Sequence, residues 1–165
     1  MKKVLLCILI LILSAFAVSC KNKKGNNNQG GSSEGFVRFD DLLDGEYMYI
    51  KIKGVEHKIM LEDSKATLEL VEILKDGKLT LKGYDNGGFE KVIDLKKALT
   101  TSDANITAKA GDVVLYNGNQ LCILYKDNAY SYTKIGKVVD LSGDDLKEFL
   151  CAGETVDITL SVKDK

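Results

Sequence analysis

The chain has 165 residues, of which 45% are hydrophobic and 28% charged, and 23 basic against 24 acidic residues leave a net charge of −1. This balance is typical of a folded protein. It argues against a disordered tail, a strongly basic nucleic-acid binder and a multi-pass membrane protein.

The chain begins with the pattern of a secretory signal peptide. Two lysines precede an unbroken apolar run from Val4 to Leu13, and small residues follow as far as Ser19. A retained transmembrane helix is the alternative, but it needs about 20 apolar residues, more than this run contains. The prediction is therefore a signal peptide over residues 1–19.

Two cleavage patterns overlap at the end of this segment. Ala15-Phe16-Ala17 fits the ordinary rule and would release a soluble protein. Ala17-Val18-Ser19-Cys20 resembles the lipobox of bacterial lipoproteins, although that motif usually begins with leucine. We favour lipidation of Cys20, because a polar, flexible segment follows it directly, and expect an extracytoplasmic protein anchored to a bilayer in the bacterial cell envelope.

Residues 20–45 are predicted to be the lipidated cysteine and a flexible linker. Residues 21–35 are Asn, Gly, Ser, Lys, Gln and Glu without one apolar side chain, and such a coil spans roughly 20 Å. Apolar residues return at Phe36–Asp44, which could form a short helix or dock on the domain that follows.

From Glu46 onward the pattern indicates one globular domain, residues 46–165, with 17 lysines and 20 acidic residues. Alternating apolar positions predict a hairpin of Tyr47–Lys53 and Val55–Leu61 around Gly54. A first helix begins after Asp63 or Ser64 and ends at Lys75, and a second, capped from Ser142, ends at Leu150. The remaining predicted strands are Lys78–Gly83, Phe89–Asp94, Ile106–Ala108, Asp112–Tyr116, Gln120–Lys126, Tyr130–Val138 and Thr155–Val162.

Many short strands separated by turns, with two helices, favour a closed or nearly closed β-barrel whose ends the helices cover. About 120 residues suffice for one core but not for two domains. The chain contains no proline, which suits strands that are paired along their length.

The segments AGDVVLYNGNQLCILY (residues 110–125) and YSYTKIGKV (residues 130–138) resemble the small bacterial cyclophilin-like domain family. The resemblance covers roughly Met48 to Val162. It implies a mostly β fold with two helices, a closed eight-stranded cyclophilin-like β-barrel.

The resemblance does not imply isomerase activity. True cyclophilins stabilise a twisted prolyl amide with an arginine beside an apolar pocket, whereas the one arginine of this chain, Arg38, precedes the barrel. We therefore expect a non-enzymatic module that binds a peptide, a protein or a small ligand. The alternatives are a weak or divergent prolyl isomerase that uses Lys134 and tyrosines, and a structural envelope protein without a ligand.

A binding groove is predicted where tyrosines recur on neighbouring strands, since aromatic rings with a polar end suit ligand contacts. Packing of the same tyrosines on the barrel is the competing interpretation. The candidate residues are Tyr116, Asn119, Tyr125, Tyr130, Tyr132 and Lys134.

No catalytic residue, metal site, cofactor or nucleic-acid partner is predicted. His57, the one histidine, has no nucleophile or carboxylate at a motif spacing, and Asp140, Asp144 and Asp145 do not match a calcium loop. Cys122 and Cys151 could form a disulfide in an exported protein, but two buried thiols are the favoured interpretation.

Overall fold

The computed structural model describes residues 47–163. The predicted signal peptide, Cys20, the linker, Arg38 and Phe36–Asp44 all lie outside this range. The described elements, in chain order, are β1 (Tyr47–Ile52), β2 (Val55–Leu61), α1 (Lys65–Lys75), β3 (Leu79–Asn86), β4 (Glu90–Asp94), β5 (Ala104–Ala108), β6 (Asp112–Tyr116), β7 (Gln120–Leu124), β8 (Asn128–Val138), α2 (Gly143–Phe149) and β9 (Val156–Ser161).

Eight strands close into an antiparallel barrel in the order β2-β1-β9-β3-β4-β7-β6-β8, and pairing of β2 with β8 completes the ring. The closed eight-stranded barrel and the two helices expected from the sequence are thereby confirmed. The boundaries differ most at β3, which runs three residues further than predicted, to Asn86. Within the described residues, no helix is long and apolar enough to cross a membrane.

The main core fills the barrel interior, because alternate residues of each strand point inward. Met48, Ile50 and Ile52 of β1 are almost fully buried there. Leu70 and Leu74 of α1 and Leu146 of α2 belong to the same core. Both helices therefore bury their apolar sides against the barrel interior.

The ninth strand, β5, lies outside the ring and pairs with Asn128–Tyr132, the first half of β8. A bulge separates the two halves of β8: Lys134 pairs with Val114 and Gly136 with Val113, which leaves Ile135 unpaired. We call β5 and the paired half of β8 the outer ribbon. The bulge lets one strand serve both the ribbon and the barrel.

A second, smaller core lies between the outer ribbon and the barrel. Val92, Val114, Cys122 and Leu124 point out of the barrel, whereas Ala108 and Tyr132 come from the ribbon. The length of the domain had predicted one core. The second exists because β4, β6 and β7 also carry these apolar residues on their outward side, so this part of the barrel wall needs a cover on both sides.

Candidate ligand-binding site

Three tyrosines meet on the outer face of the barrel: Tyr116 at the end of β6, and Tyr130 and Tyr132 on β8. The ring centroid of Tyr116 lies 5.6 Å from that of Tyr130 and 6.3 Å from that of Tyr132, and the latter two are 5.9 Å apart. Tyr130 and Tyr132 share a face because they are two residues apart in a strand. We call these three residues the tyrosine cluster.

The three rings differ greatly in exposure. Tyr132 is 4% exposed and belongs to the second core, whereas Tyr130 is 55% exposed and is one of the most exposed large apolar side chains described. Asn128 Nδ2 donates a hydrogen bond to the Tyr132 hydroxyl at 2.8 Å. Burial raises the pKa of Tyr132, so the phenol stays neutral. A fixed inner ring thus supports an outer ring that solvent can reach.

A polar border lies beside Tyr116. Gln120, which pairs with Tyr116 across β6 and β7, donates to Asp94 Oδ1 at 2.9 Å and to the Tyr84 hydroxyl at 3.3 Å. Burial and the neighbouring Asp94 raise the pKa of Tyr84. No local sequence pattern marks these residues, because they come from three strands that only the barrel brings together.

A buried carboxylate lies on the same outer face. Glu90 is 4% exposed; its Oε1 accepts a hydrogen bond from Asn86 at 2.7 Å, and its Oε2 has no hydrogen-bond partner among the described residues. Burial and, next, the charge of Glu90 raise the pKa of Cys122 strongly. The Cys122 thiol is therefore held in its unreactive, protonated form.

The other predicted groove residues have different places. Asn119 is exposed in the β6–β7 turn, where Asn117 and Gly118 have φ values of 50° and 75°, as an Asn-Gly hairpin requires. Lys134 continues the row of Tyr130 and Tyr132 along the outer face and has no ion pair within the described residues.

Tyr125 is separated from the tyrosine cluster. Its side chain belongs to the interior core, and its hydroxyl donates to Asp85 Oδ2 at 3.0 Å. Burial and this hydrogen bond raise the pKa of Tyr125 to about 12. The structure thus brings Tyr116, Tyr130, Tyr132 and Lys134 to one face and places Tyr125 elsewhere.

His57 is partly buried beside α2. Its Nδ1 is 3.0 Å from Asp140 Oδ2, out of line for a hydrogen bond, and its ring meets that of Phe149 edge to face at 4.5 Å between centroids. The two cysteines among the described residues are unpaired: Cys122 lies in the second core and Cys151 packs against the interior core. No cluster of potential metal ligands occurs among residues 47–163.

Comparison with known proteins decides the family. The family model described as the cyclophilin-like family matches residues 50–161. This chain belongs to the cyclophilin-like family. In the row that begins with Tyr130 and Tyr132 on β8, the next residue is the cation Lys134, and residues 47–163 contain no arginine.

One protein sequence and one solved structure are similar to this chain. The chain is 32% identical over 91 residues to the DNA-directed RNA polymerase subunit beta' of Pelodictyon phaeoclathratiforme (strain DSM 5477 / BU-1). That match covers 55% of this chain but only 6% of the relative. The solution structure of the hypothetical protein AF2241 from Archaeoglobus fulgidus matches 72% of this chain and 95% of its own, with a TM-score of 0.50 and 14% identity, which shows a common fold.

Proposed function

We propose that this protein is a lipid-anchored, extracytoplasmic module of the bacterial cell envelope whose cyclophilin-like barrel binds an extended peptide or protein segment at the tyrosine cluster. The order signal peptide, Cys20 and polar linker supports the anchor. The linker would hold the barrel roughly 20 Å from the bilayer, so that its outer face can meet a partner.

The observation that carries the binding role is Tyr130. A tyrosine that is 55% exposed, yet braced by Tyr116 and by the buried Tyr132, offers a large apolar surface with little rotational freedom left to lose on binding. Packing alone would account for Tyr132, but it does not account for the exposed ring of Tyr130.

The presence of Lys134 rather than an arginine on the face of the tyrosine cluster favours binding without catalysis. Prolyl isomerisation has a barrier of about 18–20 kcal/mol, and lowering it requires donors aimed at the twisted amide. Lys134 is a flexible point charge without the planar fork of an arginine. A weak isomerase remains the alternative function.

The binding role is tested by NMR titration of the full chain carrying Cys20→Ser. The probes are two capped tetrapeptides, Ala-Phe-Pro-Phe and Ala-Phe-Ala-Phe. We expect shifts at Tyr116, Tyr130 and Tyr132, and affinity about tenfold weaker in Tyr130→Ser, since the outer ring supplies much of the contact.

Tyr47→Ser is the matched control, because Tyr47 is a partly exposed tyrosine on β1, away from the tyrosine cluster. Affinity that is equal in Tyr130→Ser and Tyr47→Ser, or no shift with either peptide, would contradict binding at the cluster. Accelerated cis/trans exchange of the proline peptide would establish the isomerase instead.

A further inference from the structure

Strand β5 offers an open edge beside the tyrosine cluster. Its only partner among the described strands is β8, which leaves the backbone groups of its other edge unpaired. Proteins usually protect such an edge with lysine, proline or a bulge, because it can pair with another chain. The sequence of β5, Ala-Asn-Ile-Thr-Ala, contains none of the protecting residues, and its ladder with β8 is regular.

The edge is held firmly in place. Ile106 packs on the second core, and Ala108 is fully buried there. Just before β5, the Thr133 hydroxyl donates to Asp103 at 2.6 Å and accepts from the Ser102 backbone N–H at 2.7 Å. The strand therefore presents its open edge already ordered, which lowers the entropy lost on pairing.

Two hollows lie along β5 and share Thr107. One, of about 330 Å³, is lined by Ile106, Thr107 and Tyr130 among others. The charged residues that line the second, of about 310 Å³, are three lysines and two carboxylates, and Thr107 lies beside them: Lys109, Lys134, Lys137, Glu62 and Asp112. A hollow beside Tyr130 and a second one, which we call the basic hollow because its lysines outnumber its carboxylates, thus follow each other along the same strand.

The basic hollow has one cation free to bind a ligand. Lys109 is paired with Asp127 at 2.7 Å and Lys137 with Asp112 at 3.3 Å. Lys134 has no carboxylate partner in the part of the chain described. This free cation stands out because the domain from Glu46 onward carries more acidic than basic residues.

We infer that the occupant of this edge is an extended peptide segment that adds as a strand to β5, with an aromatic or apolar side chain at Tyr130 and an acidic side chain at Lys134. This inference rests on the proposed function and names its mode of binding. Backbone pairing would give affinity, and the two hollows would give specificity.

A second copy of this chain fits the edge less well. Five residues of strand extend only about 17 Å, so pairing along this edge alone would bury much less than the roughly 800 Å² per partner typical of a stable dimer. A short peptide needs no larger surface. Charge also favours the peptide, because two copies would each bring an unpaired Lys134 to the contact.

The test uses the full chain carrying Cys20→Ser and four capped seven-residue peptides. The first is Glu-Thr-Val-Tyr-Val-Thr-Glu, which places an acidic residue near Lys134 in either strand direction. The second replaces both Glu with Lys. In the third peptide, the alternate backbone amides that point to one edge of the strand are N-methylated, and in the fourth, those that point to the other edge. N-methylation removes the donors and so blocks strand pairing along that edge.

We expect the first peptide to shift the backbone amides of residues 104–108, and only one of the two N-methylated peptides to lose at least about tenfold in affinity. The Lys peptide should bind about two- to fivefold more weakly, and Lys134→Gln should remove that difference. Lys51→Gln is the control, since Lys51 is an exposed lysine on β1.

Strand addition is overturned if both N-methylated peptides bind as well as the first, if no peptide binds, or if the protein itself dimerises through β5 in light scattering. Shifts confined to Tyr116, Tyr130 and Tyr132 would also overturn it while supporting the proposed function. If neither tetrapeptide of the first titration binds at the tyrosine cluster, the proposed function is overturned instead.

Discussion

At the scale of single residues, Lys91 is a lysine that the barrel buries completely. Its ammonium donates to the carbonyl oxygens of Cys151 at 3.1 Å and Glu154 at 2.6 Å, and it contacts the carboxylate of Asp85. Asp85 also accepts hydrogen bonds from Tyr125 and from the Gly153 backbone N–H. Two carbonyl oxygens and one carboxylate surround the ammonium, so the buried charge is accommodated and ties β3 and β4 to the segment before β9.

Removal of the buried ammonium should destabilise the fold strongly. We expect Lys91→Met to lower the free energy of unfolding by about 3–5 kcal/mol, because Asp85 and two carbonyl groups lose their partner. Urea unfolding measures this effect. The control is Lys82→Met, which breaks an exposed pair with Asp157 and should cost at most about 1 kcal/mol. Equal costs in the two variants would contradict this account of Lys91.

Asp85 should also contribute to the pH dependence of stability. Burial favours a higher pKa, but hydrogen bonds from Lys91, Gly153 and Tyr125 outweigh it and lower the pKa of Asp85 below its ordinary value of 3.8. The stabilisation is therefore complete above that value and is lost as the pH falls through the lower pKa of the folded state.

Urea unfolding between about pH 6 and about pH 2 tests the contribution of Asp85. We expect Asp85→Asn to lose less stability over this interval than the parent, because the variant has no carboxylate to protonate at this position. If the free energy of unfolding falls equally in the two proteins as the pH is lowered, Asp85 contributes nothing to the pH dependence.

At the scale of elements, the two helices begin differently. The Ser64 hydroxyl accepts a hydrogen bond from the Thr67 backbone N–H at 3.1 Å, so α1 has the predicted side-chain cap. Ser142 occupies the corresponding position of α2, but its side chain makes no capping hydrogen bond. The side-chain cap expected there from the sequence is thus absent, and Ser142 serves through its carbonyl oxygen, which accepts from Leu146 N–H.

The two serines provide a matched pair of variants. Ser64→Ala should lower the free energy of unfolding by about 1 kcal/mol, whereas Ser142→Ala should change it by a few tenths at most. Thermal or urea unfolding of both variants measures the difference. A larger loss in Ser142→Ala than in Ser64→Ala would contradict the capping geometry.

Barrel closure depends on close contact between β2 and β8. A Cβ atom on Gly136 would collide with the backbone carbonyl of Met60, at the pairing that completes the ring. A Cβ atom on Gly83 of β3 would instead meet the tip of the Ile158 side chain, which can rotate away.

Alanine at these two glycines should therefore have unequal costs. We expect Gly136→Ala to lower the free energy of unfolding by about 3 kcal/mol, because the Met60 carbonyl can move away only if β2 separates from β8. Gly83→Ala should lower it by about 1 kcal/mol. Urea unfolding gives both values, and circular dichroism checks that each variant keeps its fold. Similar losses of unfolding free energy in the two variants would mean that β2 and β8 can move apart as easily as a side chain rotates.

At the scale of the whole molecule, the predicted anchor has a direct test. Two or three acyl chains at Cys20 would hold the protein to a membrane essentially permanently, since each buried methylene contributes about 0.8 kcal/mol. We expect the protein produced in bacteria to enter the detergent phase of a phase-separation assay and the Cys20→Ser variant to stay in the aqueous phase. Identical partitioning of the two proteins would rule out lipidation.

Much of the fold follows from local sequence. The hairpin at Gly54, the cap at Ser64 and the turn at Asn117-Gly118 depend on neighbours in the chain, and the predicted elements agree with the structure there. The candidate site was predicted less completely. Tyr130 and Tyr132 could be grouped from strand alternation, whereas Tyr125 follows the end of β7 and belongs with Leu121 and Ile123 to the interior core.

By itself, the sequence determined the number and order of the elements and the acidic, arginine-free composition of the domain, because hydrophobic periodicity and turn residues act over a few positions. It also carries the predicted anchor at Cys20. Only the tertiary structure decided the second core, the buried Lys91 and Glu90, and the open edge of β5 beside Lys134. These features join residues far apart in the chain, and strand pairing around a closed ring alone brings them into contact.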